Sequence, residues 1–99
     1  MDEVSERVRR RTRNDFPQQA DQVIESLGEL TTSLFPRDAS GNGHERIHVA
    51  ALILAQGDVG KFERALALAR SDWRDLLVFA GLGNEDWEAL VDSELAPPT

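Results

Sequence analysis

No cysteine occurs in the chain, which excludes disulfide frameworks, thiolate zinc sites and cysteine nucleophiles. No apolar run approaches the roughly 20 residues needed to span a bilayer. The N-terminal stretch Met1-Asp2-Glu3-Val4-Ser5-Glu6 is polar, with no apolar segment behind it to act as a secretory signal. A glycine-rich phosphate loop is absent as well. Gly81-Leu82-Gly83 is a lone G-x-G after a helical pattern rather than a strand, so it carries no dinucleotide signal. No stretch alternates as a strand, and no serine has a histidine–carboxylate partner that sequence can single out. These absences leave a cytoplasmic soluble protein outside the membrane as the expectation.

What is present is ordinary for a globular domain: 99 residues, 40% hydrophobic and 29% charged. A chain of this length forms one domain and buries roughly 60–70% of its unfolded surface. The net charge of −7 is unevenly spread. Residues 1–13 carry five arginines against three acids, whereas residues 14–99 carry fifteen acids against six basic residues. Such an acidic body repels phosphate backbones, which disfavours nucleic acid as a partner except through the N-terminal segment.

Hydrophobic residues recur at helical spacing nearly throughout, predicting an all-α fold: a compact angular bundle of five to six short helices. Residues 1–13 read as a basic N-terminal helix or arm, residues 14–95 as a single helical domain and residues 96–99 as a flexible tail. Helix one, over 2–13, has only Val4 and Val8 on its apolar face. Asp15 and Gln18 have capping-box spacing for helix two, with Pro17 in its first turn. Phe16, Ala20, Val23, Ile24, Leu27, Leu30 and Leu34 then share one face. Phe35-Pro36 ends that helix, and Arg37 to Gly43 reads as a polar loop.

Helix three runs from about Gly43 to Gln56. Between Ile47 and Ala55 its only non-apolar residue is His48, so this segment is the expected centre of the core, with Phe62, Leu66, Trp73, Leu77, Trp87 and Leu90 packed around it. Gly57-Asp58 stops it and caps a fourth helix with the stripe Val59, Phe62, Leu66, Ala69. Ser71 or Asp72 caps a fifth, with Trp73, Leu76, Leu77 and Ala80 inward. Asn84 caps a sixth carrying Trp87, Leu90, Val91 and Leu95. The segments Asp72-Trp73 to Leu77 and Asp86-Trp87 to Val91 echo each other, as acid-then-tryptophan helix starts do.

Three patterns carry chemistry. His44-Glu45-Arg46-Ile47-His48 has the spacing of the H-E-x-x-H zinc-protease signature, in which two histidines one helical turn apart bind the metal and the glutamate activates its water. His44 and His48 are then ligands and Glu45 the base. Glu88-Ala89-Leu90-Val91-Asp92 resembles the E-x-x-x-D helix of the gluzincins and implies Glu88 as the third ligand. Against zinc as a cofactor stand the cation Arg46 inside the motif and the lack of a strand to hold extended substrate. The competing expectation is no cofactor: His44 and Glu45 exposed in a first turn, Asn42 and Glu45 as a capping box, and His48 a partly buried histidine bonded to a neighbour.

The same region offers calcium ligands. Asp38, Ser40 and Asn42, with Gly43 at position six, match the first half of an EF-hand loop, but position twelve is Val49 rather than glutamate. The third pattern is the run Arg7, Arg9, Arg10, Arg11 and Arg13, which suits nucleic acid or an acidic partner. Its alternative is an arginine-rich helix end, or an arm lying against the acidic body.

Glu45-Arg46-Ile47, Gly57-Asp58 and Ser71-Asp72-Trp73-Arg74-Asp75-Leu76-Leu77 resemble a group of small uncharacterised bacterial all-helical proteins. The resemblance spans the C-terminal half; it implies a bacterial origin and a helical fold, and carries no activity. The reading favoured by the incomplete catalytic patterns is a non-enzymatic interaction or regulatory module with a protein partner, homo-oligomers included. The alternative is a minimal zinc hydrolase.

Overall fold

The computed structural model describes residues 4–34 and 41–96, the side chains of 41–43 excepted. Five helices follow one another: α1 Glu6–Asp15, α2 Ala20–Leu34, α3 Gly41–Ala55, α4 Val59–Ala80 and α5 Trp87–Leu95. No strand occurs among the described residues, and none of their helices is long and apolar enough to cross a membrane.

Helix α1 starts later and ends later than its sequence pattern suggests. Ser5 is the N-cap, its Oγ accepting from Val8 N at 3.3 Å. The buried stripe is Val4, Val8, Thr12 and Phe16, four residues apart and all under 4% exposed. Thr12 joins an apolar row because its hydroxyl donates to Val8 O at 2.8 Å, so no polar group is left unbonded there. Asp15 accordingly closes α1 instead of capping α2: it accepts from Arg11 Nε at 2.9 Å, one turn back. Pro17 explains the stop, since it disfavours the helical region for the residue before it. Phe16 sits at φ −130°, ψ 67°, and its ring meets Phe62 with centroids 5.9 Å apart.

Helix α2 buries Ala20, Val23, Ile24, Leu27, Leu30 and Thr31. The expected helix end at Phe35-Pro36 lies outside the described residues. Helix α3 is the centre: Ile47, His48, Val49, Ala50, Ala51, Leu52 and Ala55 are all at most 2% exposed. Its largest interface is with α4, which follows after a tight turn. In that turn Gln56 and Gly57 take positive φ, 50° and 74°, and a Cβ at position 57 would lie 3.3 Å from Asp15 O. Glycine is therefore required by both the backbone angle and the approach of the α1 end. Asp58 then caps α4, its Oδ1 accepting from Lys61 N at 3.1 Å.

Helix α4 breaks at Asp72, whose φ of −158° and ψ of 100° are extended and whose side chain accepts from Arg74 N at 3.0 Å. The fourth and fifth helices read from the sequence thus follow one another within α4, separated by a capped break at Asp72. Gly81 at φ 80° ends α4, and Leu82 N donates back to Leu77 O at 2.8 Å, the six-to-one bond of a Schellman ending. Asn84 does not cap the last helix with its side chain. Its carbonyl accepts from Trp87 N, and α5 begins at Trp87.

Two expected core residues turn out peripheral. On α5 the buried positions are Val91 and Leu95, with Trp87 partly buried, a row spaced by four. Leu90 falls one step off that row and is 37% exposed. Val59, in the first turn of α4, is equally exposed, because the stripe proper begins at Phe62.

Candidate functional site

The residues of the H-E-x-x-H pattern lie in the first two turns of α3, and the fold turns them in different directions. Neither histidine is exposed: His44 is 5% and His48 0% accessible, their ring centroids 6.3 Å apart. The expectation of an exposed first turn is corrected here, because α1, α2 and α5 all pack against α3. His48 Nε2 lies 3.1 Å from Leu27 O and 3.1 Å from Thr31 Oγ1, both on α2. A carbonyl oxygen only accepts, so this geometry assigns the proton to Nε2, which donates toward Leu27 O. The Thr31 hydroxyl is itself within bonding reach of Leu27 O and Gly28 O, at 3.2 and 3.3 Å. The ring thereby ties α3 to α2.

Glu45 faces α1 and α5. Its carboxylate accepts from Arg7 Nε at 2.8 Å, Arg7 Nη2 at 2.9 Å and Ser5 Oγ at 2.7 Å. Arg7 reaches on to Asp92 Oδ1 of α5 at 2.9 Å. The arginine bonds are the main reason that the Glu45 carboxyl is held below its ordinary value; partial burial opposes them, and the Ser5 bond adds to them. The group that the zinc-protease reading needs as a base is thus bonded as an anion between three helices.

Glu88 lines the same small cleft as Glu45, together with Arg7, Trp87, Val91 and Asp92. The cleft holds about 80 Å³, well below the roughly 300–1,000 Å³ of ligand pockets. Glu88 is therefore brought near Glu45, on α5, whereas the bonded edge of His48 is turned to α2. Among the described residues no three His, Asp or Glu side chains converge as a metal site, so His44, His48 and Glu88 are not assembled into one. Of the calcium candidates, Asp38, Ser40 and the side chain of Asn42 lie outside the described residues. Residues 41–49, which an EF-hand would need as loop, are helix.

Two of the five arginines of α1, Arg7 and Arg11, are turned onto the acidic body. Arg7 is engaged as above, and Arg9 Nε donates to Val4 O at 3.1 Å. Arg11 bonds Asp15, and its Nη1 reaches Glu94 O at 2.6 Å and Glu94 Oε2 at 3.0 Å. Arg13 stands 3.7 Å from Glu6 and is exposed, as is Arg10. Of the five, Arg10 and Arg13 are exposed, and Arg7, Arg9 and Arg11 are partly buried.

Two features escaped the sequence reading. Arg46 Nε and Nη2 donate to Leu82 O at 2.9 and 2.7 Å, and its guanidinium lies 4.9 Å from the Trp87 ring centroid. A cation bordering a long apolar run was the available signal; its partners, more than thirty residues away, were not. The second feature is at the end of α4, where Val78 and Phe79 are 67% and 68% exposed. Their departure from the inward stripe of Trp73, Leu76, Leu77 and Ala80 was legible. Comparison with protein-family models finds none that matches, and neither curated proteins nor solved structures give a match.

The Glu45 node predicts an acid-side effect. A carboxyl held below its ordinary value of 4.5 contributes stability in full above that pH and loses it as pH falls toward the lowered value. Glu45→Gln keeps the shape but removes the charge from a side chain only 13% exposed. It is expected to cost about 1–2 kcal/mol at neutral pH and almost nothing in strong acid. Urea unfolding between pH 7 and pH 3 tests this; parallel wild-type and variant curves across the range would show that the pair adds no net stability.

Proposed function

We propose that this chain is a non-enzymatic protein-interaction module. The observation that carries the reading is the pair of neighbouring apolar side chains, Val78 and Phe79, each about two-thirds exposed at the end of α4. Full burial of one such side chain is worth about 1.5–3 kcal/mol, so leaving two in water favours a partner that covers them. The use of His48, Glu45 and Arg46 as ties between helices supports the same reading, since each is already bonded within the fold. A cytoplasmic setting, an angular helix arrangement and a bacterial source belong to this proposal.

The test compares the wild type with Val78→Ser/Phe79→Ser. Both positions are exposed, so unfolding free energy is expected to change by only about 0.5 kcal/mol. Affinity capture from cells expressing each form should yield one stoichiometric complex that the wild type retains and the double variant loses. Identical capture by both, or hydrolysis of a peptide or ester substrate that depends on Glu45, would overturn the reading.

A further inference from the structure

The surroundings of Val78 and Phe79 are acidic and largely unneutralised. Residues 72–94 hold seven acids and one basic residue, Arg74. Asp92 and Glu94 are matched by Arg7 and Arg11. Arg74 lies over the Trp73 ring, 5.4 Å from its centroid. Asp75, Glu85 and Asp86 are exposed and have no ion-pair partner among the described residues.

Their placement relative to the patch follows from the helix and from the turn. Asp75 precedes Val78 by three residues and Phe79 by four, which puts it on the same helix face. The connection to α5 folds back on Val78: a Cβ on Gly83 would lie 3.4 Å from Val78 Cγ2. Glu85 and Asp86 follow two and three residues later. Arg74, four residues before Val78, is the one cation on this face. The apolar pair thus has an excess of unpaired carboxylates along the chain on both sides of it, the layout of a binding surface with an electrostatic rim.

We propose that the Val78–Phe79 patch docks a basic amphipathic helix, whose apolar side chains cover Phe79 and whose Lys or Arg residues meet Asp75, Glu85 and Asp86. The inference rests on the interaction reading above and names the partner's chemistry. A second copy is the poorer occupant, since a two-fold contact sets the same acidic rim against itself. Nucleic acid and anionic lipid are repelled by the same charge. An apolar stripe with flanking cations satisfies both halves of the patch, in the manner of helix-in-groove recognition.

The probe is a synthetic Leu/Lys amphipathic helix of about 15 residues, with a Leu/Glu helix of the same pattern as control. Binding is read by fluorescence anisotropy at low salt and again at about 0.5 M salt, where surface charges are screened beyond a few ångströms. The Leu/Lys helix should bind, more weakly at high salt. Phe79→Ser should weaken it about tenfold or more. Asp75→Lys/Glu85→Lys should do the same, while Asp21→Lys/Glu25→Lys, an equal charge change on the exposed face of α2, should leave the affinity within about twofold.

Equal losses from the two charge pairs would mean diffuse attraction to an acidic protein and would overturn the proposal. Equal binding of the Leu/Glu helix would do so too. Sedimentation of the protein alone separates the two levels of the argument. If no peptide binds but the wild type self-associates and Phe79→Ser disperses it, the basic-helix inference falls and the interaction reading stands. If neither experiment responds to Phe79→Ser, the basic-helix inference falls, and the interaction reading falls with it when capture is also identical for the two forms.

Discussion

His48→Ala is expected to lower the unfolding free energy by about 3 kcal/mol, the largest effect of any single change outside the apolar core. Two losses combine. The imidazole fills space at a fully buried position, flanked on α3 by Ile47, Val49, Ala51 and Leu52, and its removal leaves a cavity. It also withdraws the Nε2 proton from Leu27 O and Thr31 Oγ1. Thr31 retains its bonds to its own helix, so the hydrogen-bond part of the cost is that of one contact, not a whole network. For a domain of this size the melting temperature should fall by roughly 12–20 °C. His48→Gln, whose amide can still donate toward Leu27 O, should recover part of the difference. Because no three metal-ligating side chains converge among the described residues, the wild-type and variant melting temperatures should differ by the same amount in excess zinc and in excess EDTA. A difference that grows with zinc would revive the metal reading of His44 and His48, since binding to the native state raises stability by mass action.

The contrast between His48 and Glu45 shows which features a sequence carries. The apolar run from Ile47 to Ala55 announced a buried helix, and burial at His48 followed from its place within that run. Stops and caps were equally readable at Gly57-Asp58, at Asp72 and at Gly81, because each is set by the conformational preference of one or two residues. Local patterns failed where a distant partner decides. Asp15 has capping-box spacing for α2 but is held by Arg11 in α1, a choice fixed by how far the buried row extends through Thr12 to Phe16. His44 and Glu45 look like exposed first-turn residues until α1 and α5 are laid against them. The clasp of Arg7 on Glu45 and Asp92, and of Arg11 on Glu94, joins residues up to 83 positions apart, and nothing in a helical period encodes it. The zinc-protease spacing was legible because helical geometry puts i and i+4 side by side whatever the side chains then do.

Arg46→Ala tests the longest of these ties. Helix α5 has nine residues, too few to persist without packing, and its entry is fixed where Arg46 bonds Leu82 O and covers Trp87. Leu82 is 1% exposed, so removing the guanidinium strips two charged donors from a carbonyl with little access to water. The loss of the cation from the Trp87 face adds to this. The expected cost is about 2–3 kcal/mol. Arg46→Lys should restore less than half of it, since an ammonium is a point donor that lacks the planar fork with which Arg46 bonds the carbonyl twice while standing over the indole. The effect should be local before it is global. Amide hydrogen exchange is expected to accelerate first over residues 83–95, with α3 and the first half of α4 keeping their protection until global unfolding. In a Trp73→Phe background the remaining Trp87 emission should shift to the red at urea concentrations where helix content is still near its starting value. A variant whose exchange quickens evenly along the chain would mean that α5 is held by Val91, Leu95 and the α1 clasp alone. An unchanged stability would mean that Arg46 is replaced by water at Leu82 without penalty.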